Sequence, residues 1–486
     1  MKILSEIITN IHPLQVVGDE SRCVATLTYD SRQAAADGCF FAIVGTQSDG
    51  HNYIDAAIAG GCRTIICQQL PEACADDVTY VVVEDSEIAM AAIAAAYYDY
   101  PSHDLKVVGV TGTNGKTTIA TLLYDLIRAL GYECGLISTV VYKIGERCVE
   151  STHTTPDAIR LNKMMREMVD AGCQYCFMEC SSHSIVQHRI DSIEFDGALF
   201  TNITHDHLDY HKTFIEYIRA KKRLFDQLPS EAFAISNIDD RNGEVMLQNC
   251  KARQVRLALQ RNADLHCRIL EMTPQAMLLA IGHHEVWVNL VGRFNAYNVL
   301  TVYGAALELG FDEMEVLQVL SMLHAVEGRF QQIVAADSTT VIVDYAHTPD
   351  ALENLLRTVT ELRQKGQRIT VVCGCGGERD AMKRPKMAAI AVKYAEMSIF
   401  TSDNPRSESP EAILNDMEQG VSTADNYLKI ADRDTAIKTA IMLSAPGDII
   451  VIAGKGHEHY QIIGRERLPF NDSESAERYL KLFNRK

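Results

Sequence analysis

The sequence predicts an α/β protein in three domains: a smaller α/β domain at residues 1–105, a central one at 106–330 with a mostly parallel sheet, and a third α/β domain at 331–486. Three observations carry that expectation. A chain of 486 residues exceeds what one hydrophobic core usually serves, and 47% hydrophobic against 23% charged residues is the balance of a globular protein with ample core. Short apolar runs alternate with helix-like segments, the pattern of strands joined by crossover helices. The texture also changes twice, at Asp99-Tyr100-Pro101-Ser102-His103, which reads as a linker, and near Gln331, where the alternation restarts.

In the first domain the strand-like runs are Phe40 to Val44, Thr64 to Cys67 and Thr79 to Val83. The longest apolar run, Ile88 to Tyr98, lies between Glu87 and Asp99 and reads as a buried core helix, being too short to span a bilayer. The start, Met-Lys-Ile-Leu-Ser-Glu, breaks too early for a secretory signal. The balance of 46 Lys+Arg against 64 Asp+Glu gives −18, which argues against a general nucleic-acid or acidic-membrane binder, since those partners need a net basic footprint. Fourteen cysteines at irregular intervals suit reduced thiols in a cytoplasmic protein rather than a disulfide framework. Cys173, Cys176 and Cys180, like Cys373 and Cys375, read as small core residues rather than metal ligands.

The central domain carries the strongest signal. Val107 to Val110 is strand-like, Thr111-Gly112-Thr113-Asn114-Gly115-Lys116-Thr117-Thr118 is a Gly-rich turn, and Ile119, Leu122, Leu123, Leu126, Ile127 and Leu130 then recur at helical spacing up to Gly131. Backbone N–H groups of such a turn can wrap phosphate oxygens at a helix amino terminus, with Lys116 reaching the β- and γ-phosphates and the Thr117 hydroxyl ligating Mg²⁺. Val110 stands where the general nucleotide pattern has its first glycine. Further on, Glu179-Cys-Ser-Ser-His183 and Asn202-Ile-Thr-His-Asp-His-Leu-Asp209 each follow an apolar run, so a carboxylate and an imidazole fall at strand ends, where they can serve a second metal ion.

In the third domain the strand candidates are Thr340 to Val343, Ile369 to Cys373, Met397 to Thr401 and Ile449 to Ala453, with helices starting near Pro349, Pro385 and Pro410. Their carboxyl ends are polar or Gly-rich: Asp344-Tyr-Ala-His347, Gly374 to Asp380, Asp403-Asn404-Pro405-Arg406 and Gly454-Lys-Gly-His-Glu458. Ligands of open α/β sheets bind at such ends.

Together these motifs, with Gly292-Arg-Phe-Asn-Ala-Tyr-Asn298 and Glu327-Gly-Arg-Phe330, resemble the Mur ligase family along essentially the whole chain. The resemblance implies a central P-loop ATPase, an amino-terminal domain for a UDP-substrate and a Rossmann-like carboxyl-terminal domain bringing an amino acid. It implies an ADP-forming ligase of peptidoglycan precursor synthesis that adds meso-diaminopimelate to UDP-N-acetylmuramoyl-L-alanyl-D-glutamate through an acyl phosphate. By motif, Gly112, Thr113, Asn114, Gly115, Lys116, Thr117, Thr118, Asn295, Arg329 and Asp344 would bind ATP. Thr117, Glu179, His207 and a Lys221 carbamylated by CO₂ would serve Mg²⁺, with Lys116, Glu179, His207 and Lys221 as the catalytic set. Lys222, next to Lys221, leaves that register open, because successive helical residues point about 100° apart.

The resemblance also assigns Ser31, Thr154, Thr155, Ser181, Gln187 and Arg189 to the UDP-muramoyl dipeptide, the loop Gly45 to His51 fitting only loosely. Arg379, Asp403, Asn404, Pro405, Arg406, Gly454 and Glu458 would take diaminopimelate. Arg406 can grip that molecule's distal carboxylate with two charged hydrogen bonds and would repel the ammonium of lysine. The alternatives are the family's L-lysine-adding ligase, a folylpolyglutamate synthetase, and a nucleotide-binding interaction protein without catalysis. A monomer acting on small molecules in the cytoplasm, without nucleic acid or membrane, is expected.

Overall fold

The computed structural model describes residues 1–45, 48–204, 206 and 208–483, with backbone alone at 208 and 209. Three sheets organise the chain. The first has five strands in the order Gln15–Val17, Thr79–Val82, Thr64–Cys67, Gly38–Phe41, Thr26–Thr28, parallel except for the outermost Gln15–Val17. The helix Ser86–Tyr97 packs on it, as the apolar run requires, and Asp85 caps it by accepting from the N–H groups of Glu87 and Ile88.

The second sheet has eleven strands. Its middle is parallel, as expected: Cys134–Ile137, Tyr175–Glu179, Lys106–Thr111, Gly197–Phe200, Phe233–Asn237, Arg253–Ala258 and Leu265–Met272 lie side by side. Both flanks are antiparallel, and the alternation of strands and helices did not reveal this. Val141–Ile144 and Arg147–Glu150 extend one edge, Met277–Ile281 and His284–Val288 the other. Each hairpin turns on a left-handed glycine, Gly145 at φ 54° and Gly282 at φ 58°. Two apolar clusters cover the sheet's faces, one of them built on Lys116–Ala129 and Arg293–Glu308, which face each other over the sheet.

The third sheet runs Gln331–Val334, Thr340–Asp344, Ile449–Ala453, Ile369–Cys375, Met397–Ser402, Tyr427–Lys429, antiparallel only at Gln331–Val334. Helices begin at Pro349 and Pro410 as expected; the one near Pro385 starts two residues earlier, at Lys383, with the proline still in the first turn. Cys176, Cys180 and Cys373 are fully buried in apolar clusters, and burial pushes their thiols up. No helix among the described residues is long and apolar enough to cross a membrane.

Candidate active site

Strand register brings the central motifs together. Glu179 pairs with Val110 and Phe200 with Thr111, so Glu179 and Thr201-Asn202 emerge on either side of the phosphate loop. The loop is strapped to the second neighbour: Thr113 N donates to Asn202 O at 2.8 Å, Asn114 N to Asn202 Oδ1 at 3.0 Å, and Thr201 Oγ1 to Asn114 O at 2.6 Å. Gly112 (φ 150°) and Gly115 (φ 91°) make the turn; a Cβ on Gly112 would stand 1.9 Å from Thr201 Oγ1, and one on Gly115 would stand 2.7 Å from Asn298 Oδ1. Gly115 is the N-cap of the helix Lys116–Ala129, and no side chain caps it among the described residues. The first N–H groups of that helix therefore lack intrahelical partners and face the cavity, which suits a chain of phosphates.

Two modules, the central and the third, wall that cavity, whose volume is about 1010 Å³. On its central side are Thr113 to Thr118, Glu179 and Asn298. Glu179 is 1% exposed and its Oε1 accepts from Thr139 N at 2.7 Å. Lys116 Nζ donates to the Gly112 and Thr113 carbonyls, each at 2.9 Å; burial pulls its pKa down, opposed by Glu179 and Asp206. Lys221, also 1% exposed, reaches under the loop to Gly112 O at 2.7 Å and lies over the Tyr217 ring. Burial, then the charge of Lys116, drives its pKa well below that of a free lysine. Lys222 turns the other way, to Gln248 O at 2.6 Å and to Asp226.

The third module and the segment leading into it close over the loop. Arg329 Nη2 donates to Thr117 Oγ1 at 3.0 Å while its guanidinium stacks on Tyr345, and its buried Nε has no partner among the described residues. Asp344 accepts from Phe330 N at 2.7 Å and Ala346 N at 2.8 Å, with burial raising its pKa. Asn114 Nδ2 donates to Asp350 Oδ2 at 3.1 Å, a direct link between the loop and the helix Pro349–Leu362. Burial holds two cavity histidines neutral, His347 at about 4 and His457 at about 3.

At another wall Thr155 Oγ1 donates to Glu179 O at 2.7 Å, Arg189 Nη1 to Thr155 O at 2.8 Å, and Thr154 bonds Thr139 at 3.1 Å. Ser181 and Gln187 complete that group. The third-module residues expected to take the amino acid divide. Arg379 and Glu458 line the cavity, whereas Asp403, Asn404 and Pro405 are buried behind it, Gly454 sits against Asp403, and Arg406 turns its Nη1 to Gly377 O at 2.7 Å.

Three expected residues, Ser31, Asn295 and Lys221, stand off the cavity wall. Ser31 opens a short 3₁₀ segment, Ser31–Gln33, away from the cavity walls. Asn295 is buried one turn behind the wall, its Nδ2 on Val291 O, and it accepts from Asn298, which is the asparagine facing the loop. Lys221 lies beneath the loop rather than on the cavity wall. His207 lies outside the described residues, as do His205, Thr46 and Gln47. Sequence reasoning passed over Asn298, Tyr345, His347, Asp350 and His457 as site residues, although each lies in or beside a motif already noted.

A phosphate loop, a buried carboxylate beside it and a third module folded over both define a nucleotide-dependent enzyme of several domains. Residues 24–98 match the catalytic domain of the Mur ligase family, 110–306 the Mur ligase middle domain and 328–456 the glutamate ligase domain of Mur ligases. A UDP-N-acetylmuramoyl-L-alanyl-D-glutamate–2,6-diaminopimelate ligase of Cytophaga hutchinsonii is 50% identical over 472 residues, covering 96% of this chain and 97% of its own. The Bacteroides fragilis protein of the same name is 49% identical over 97% of this chain and 98% of its own. A solved structure of that name superposes with a TM-score of 0.70 at 30% identity, all of both chains being covered. The chain belongs to the Mur ligase family.

Proposed function

We infer that the chain is an ATP-dependent ligase that adds meso-2,6-diaminopimelate to UDP-N-acetylmuramoyl-L-alanyl-D-glutamate in peptidoglycan precursor synthesis. The observation that carries the reading is that the phosphate loop, Glu179, and the Arg379 and Glu458 end of the third module open on one cavity, in a chain half identical to relatives of that name.

A free carboxylate resists amines because its leaving group would be oxide. Transfer of the γ-phosphoryl group from ATP gives an acyl phosphate, the amine of diaminopimelate attacks its carbonyl, and the tetrahedral intermediate expels phosphate. The loop amides and Lys116 hold the phosphates, and Arg329 meets charge that grows on the phosphoryl oxygens. The hydroxyl of Thr117 and the carboxylate of Glu179 are hard oxygen donors that fit Mg²⁺, with His207 as the further ligand carried by motif. Mg²⁺, when bound, neutralises phosphate charge. Asn298, through the Gly115 contact, is the better candidate than Asn295 for the nucleotide side, and Asp344 for its ribose.

Lys221 is the lysine suited to carbamylation, because CO₂ adds to an uncharged amine and burial favours that form; Lys222 is engaged with Asp226 and Gln248 instead. Thr154, Thr155, Ser181, Gln187 and Arg189 would hold the muramoyl dipeptide, with Ser31 at its UDP end. Arg379, Asp403 to Arg406, Gly454 and Glu458 would hold the amino acid. A monomer drawing on cytoplasmic ATP completes the reading.

Purified protein is expected to release phosphate from ATP only with both the UDP-dipeptide and meso-diaminopimelate present. Equal or faster turnover with L-lysine would reject the amino-acid assignment.

A further inference from the structure

The amino-acid end of the cavity stands on a buried ion pair that lines no part of it. Arg433 opens the helix Arg433–Leu443, and Asp472 opens Asp472–Leu482. A cation in a helix's first turn faces the positive end of its dipole, so local preference speaks against arginine there, while aspartate suits its own place. Both side chains are fully buried, and the guanidinium grips the carboxylate through two bonds of 2.7 Å, Nε to Oδ1 and Nη2 to Oδ2. Such a pair gains little over apolar residues of the same volume, so stability is a weak reason for it.

Its other donors supply a stronger reason. Arg433 Nη1 donates to Ser402 O at 3.4 Å, and Nη2 to Ala453 O at 3.1 Å. These residues end the strands Met397–Ser402 and Ile449–Ala453, which are separated in the sheet by Ile369–Cys375. One residue beyond each lie Asp403 and Gly454. The two loops meet over the end of the middle strand: a Cβ on Gly454 would lie 2.7 Å from Asp403 Oδ2, and one on Gly374 would lie 2.3 Å from Thr401 O. Higher up, Asn404 Nδ2 donates to Glu458 Oε2 at 2.8 Å, and Lys455 Nζ bridges Asn404 Oδ1 at 3.0 Å and Glu458 Oε2 at 2.8 Å. The loops are thus tied at their base by Arg433 and at their rim by Lys455.

We propose that Arg433, held by Asp472, is the positioning residue of the amino-acid site: it fixes the spacing of the 403–406 and 454–458 loops, and with it the affinity for diaminopimelate and the discrimination against L-lysine. The proposal rests on the ligase reading above and extends it to a residue that touches no substrate.

Arg433→Lys keeps the charge but loses the planar fork that reaches a carboxylate and two carbonyls at once. With the variant, the KM for diaminopimelate is expected to rise tenfold or more and the preference over L-lysine to fall in proportion. The KM for ATP and for the UDP-dipeptide should stay within twofold, a split that general loosening would not produce. Should Arg433→Lys fail to fold, Arg433→Met with Asp472→Leu, which leaves no buried ion unpartnered, is measured in the same way. All three constants moving together, or none moving beyond twofold, overturns the proposal. The wild-type arm tests the ligase reading separately: whichever amino acid drives its phosphate release is the one whose KM is followed in the variants.

Discussion

Gly112 carries the tightest steric demand of the site. With φ at 150° and Thr201 Oγ1 1.9 Å from where a Cβ would sit, Gly112→Ala must shift backbone or break the strap from Thr201 to Asn114. We expect loss of ATP turnover and destabilisation of about 1–3 kcal/mol, read by chemical denaturation. Lys221→Ala should abolish most activity and regain part of it with bicarbonate or a short carboxylic acid, while Lys222→Ala keeps its rate; full activity in Lys221→Ala would remove the carbamate from the scheme. His457 gives a pH signature. Its folded pKa, about 3, lies below the unfolded value of roughly 6.5. As pH falls from about 6.5 towards 3 the unfolded chain binds the proton first, so native stability drops through that window and is unaffected above it. Melting temperatures of His457→Gln should therefore decline less steeply than wild type between those limits.

At the scale of elements, strand ends were the most legible part of the sequence. Apolar runs closed by polar or glycine residues located Glu179, Asp344, Asp403 and Gly454 correctly at carboxyl ends, because a strand buried on both faces leaves little doubt about where it stops. The antiparallel flanks were not read, since short hairpins look like any other apolar run; Gly145 and Gly282 were their only local mark. Side-chain direction was harder still. Asn295 and Asn298 lie one helical turn apart and bond each other, so motif alone did not say which faces the loop. Arg406 hangs on the Gly377 carbonyl, a contact set by a loop 29 residues away. The pair joining two helix starts, Arg433 and Asp472, left no sequence signal at all. Asp472→Ala, which strands a buried guanidinium, is expected to cost about 3–5 kcal/mol in urea denaturation.

For the whole molecule, the contacts that join the third module and the segment leading into it to the central one include Asn114 to Asp350, Arg329 to Thr117, Gln332 Nε2 to Pro274 O at 2.6 Å, and Arg467 Nη1 to Glu150 Oε1 at 2.9 Å. The last is exposed and worth no more than about 1 kcal/mol, so it sets alignment rather than stability. Asp350→Ala with Arg467→Ala should leave the melting temperature nearly unchanged, yet raise the KM for ATP and enlarge the radius of gyration in small-angle scattering. An unchanged scattering profile would mean that burial elsewhere holds the modules together.

The crowding where Gly374 meets Thr401 and Gly454 meets Asp403 narrows the ways such an enzyme can acquire a new taste in amino acids. Neither glycine admits a larger residue, so point changes there damage the scaffold before they can alter preference. On the proposed assignment, Arg379 and Arg406 extend from loops rather than from the packed sheet, and a directed-evolution library confined to those two codons and their immediate neighbours is where altered acceptance of amino acids should surface first.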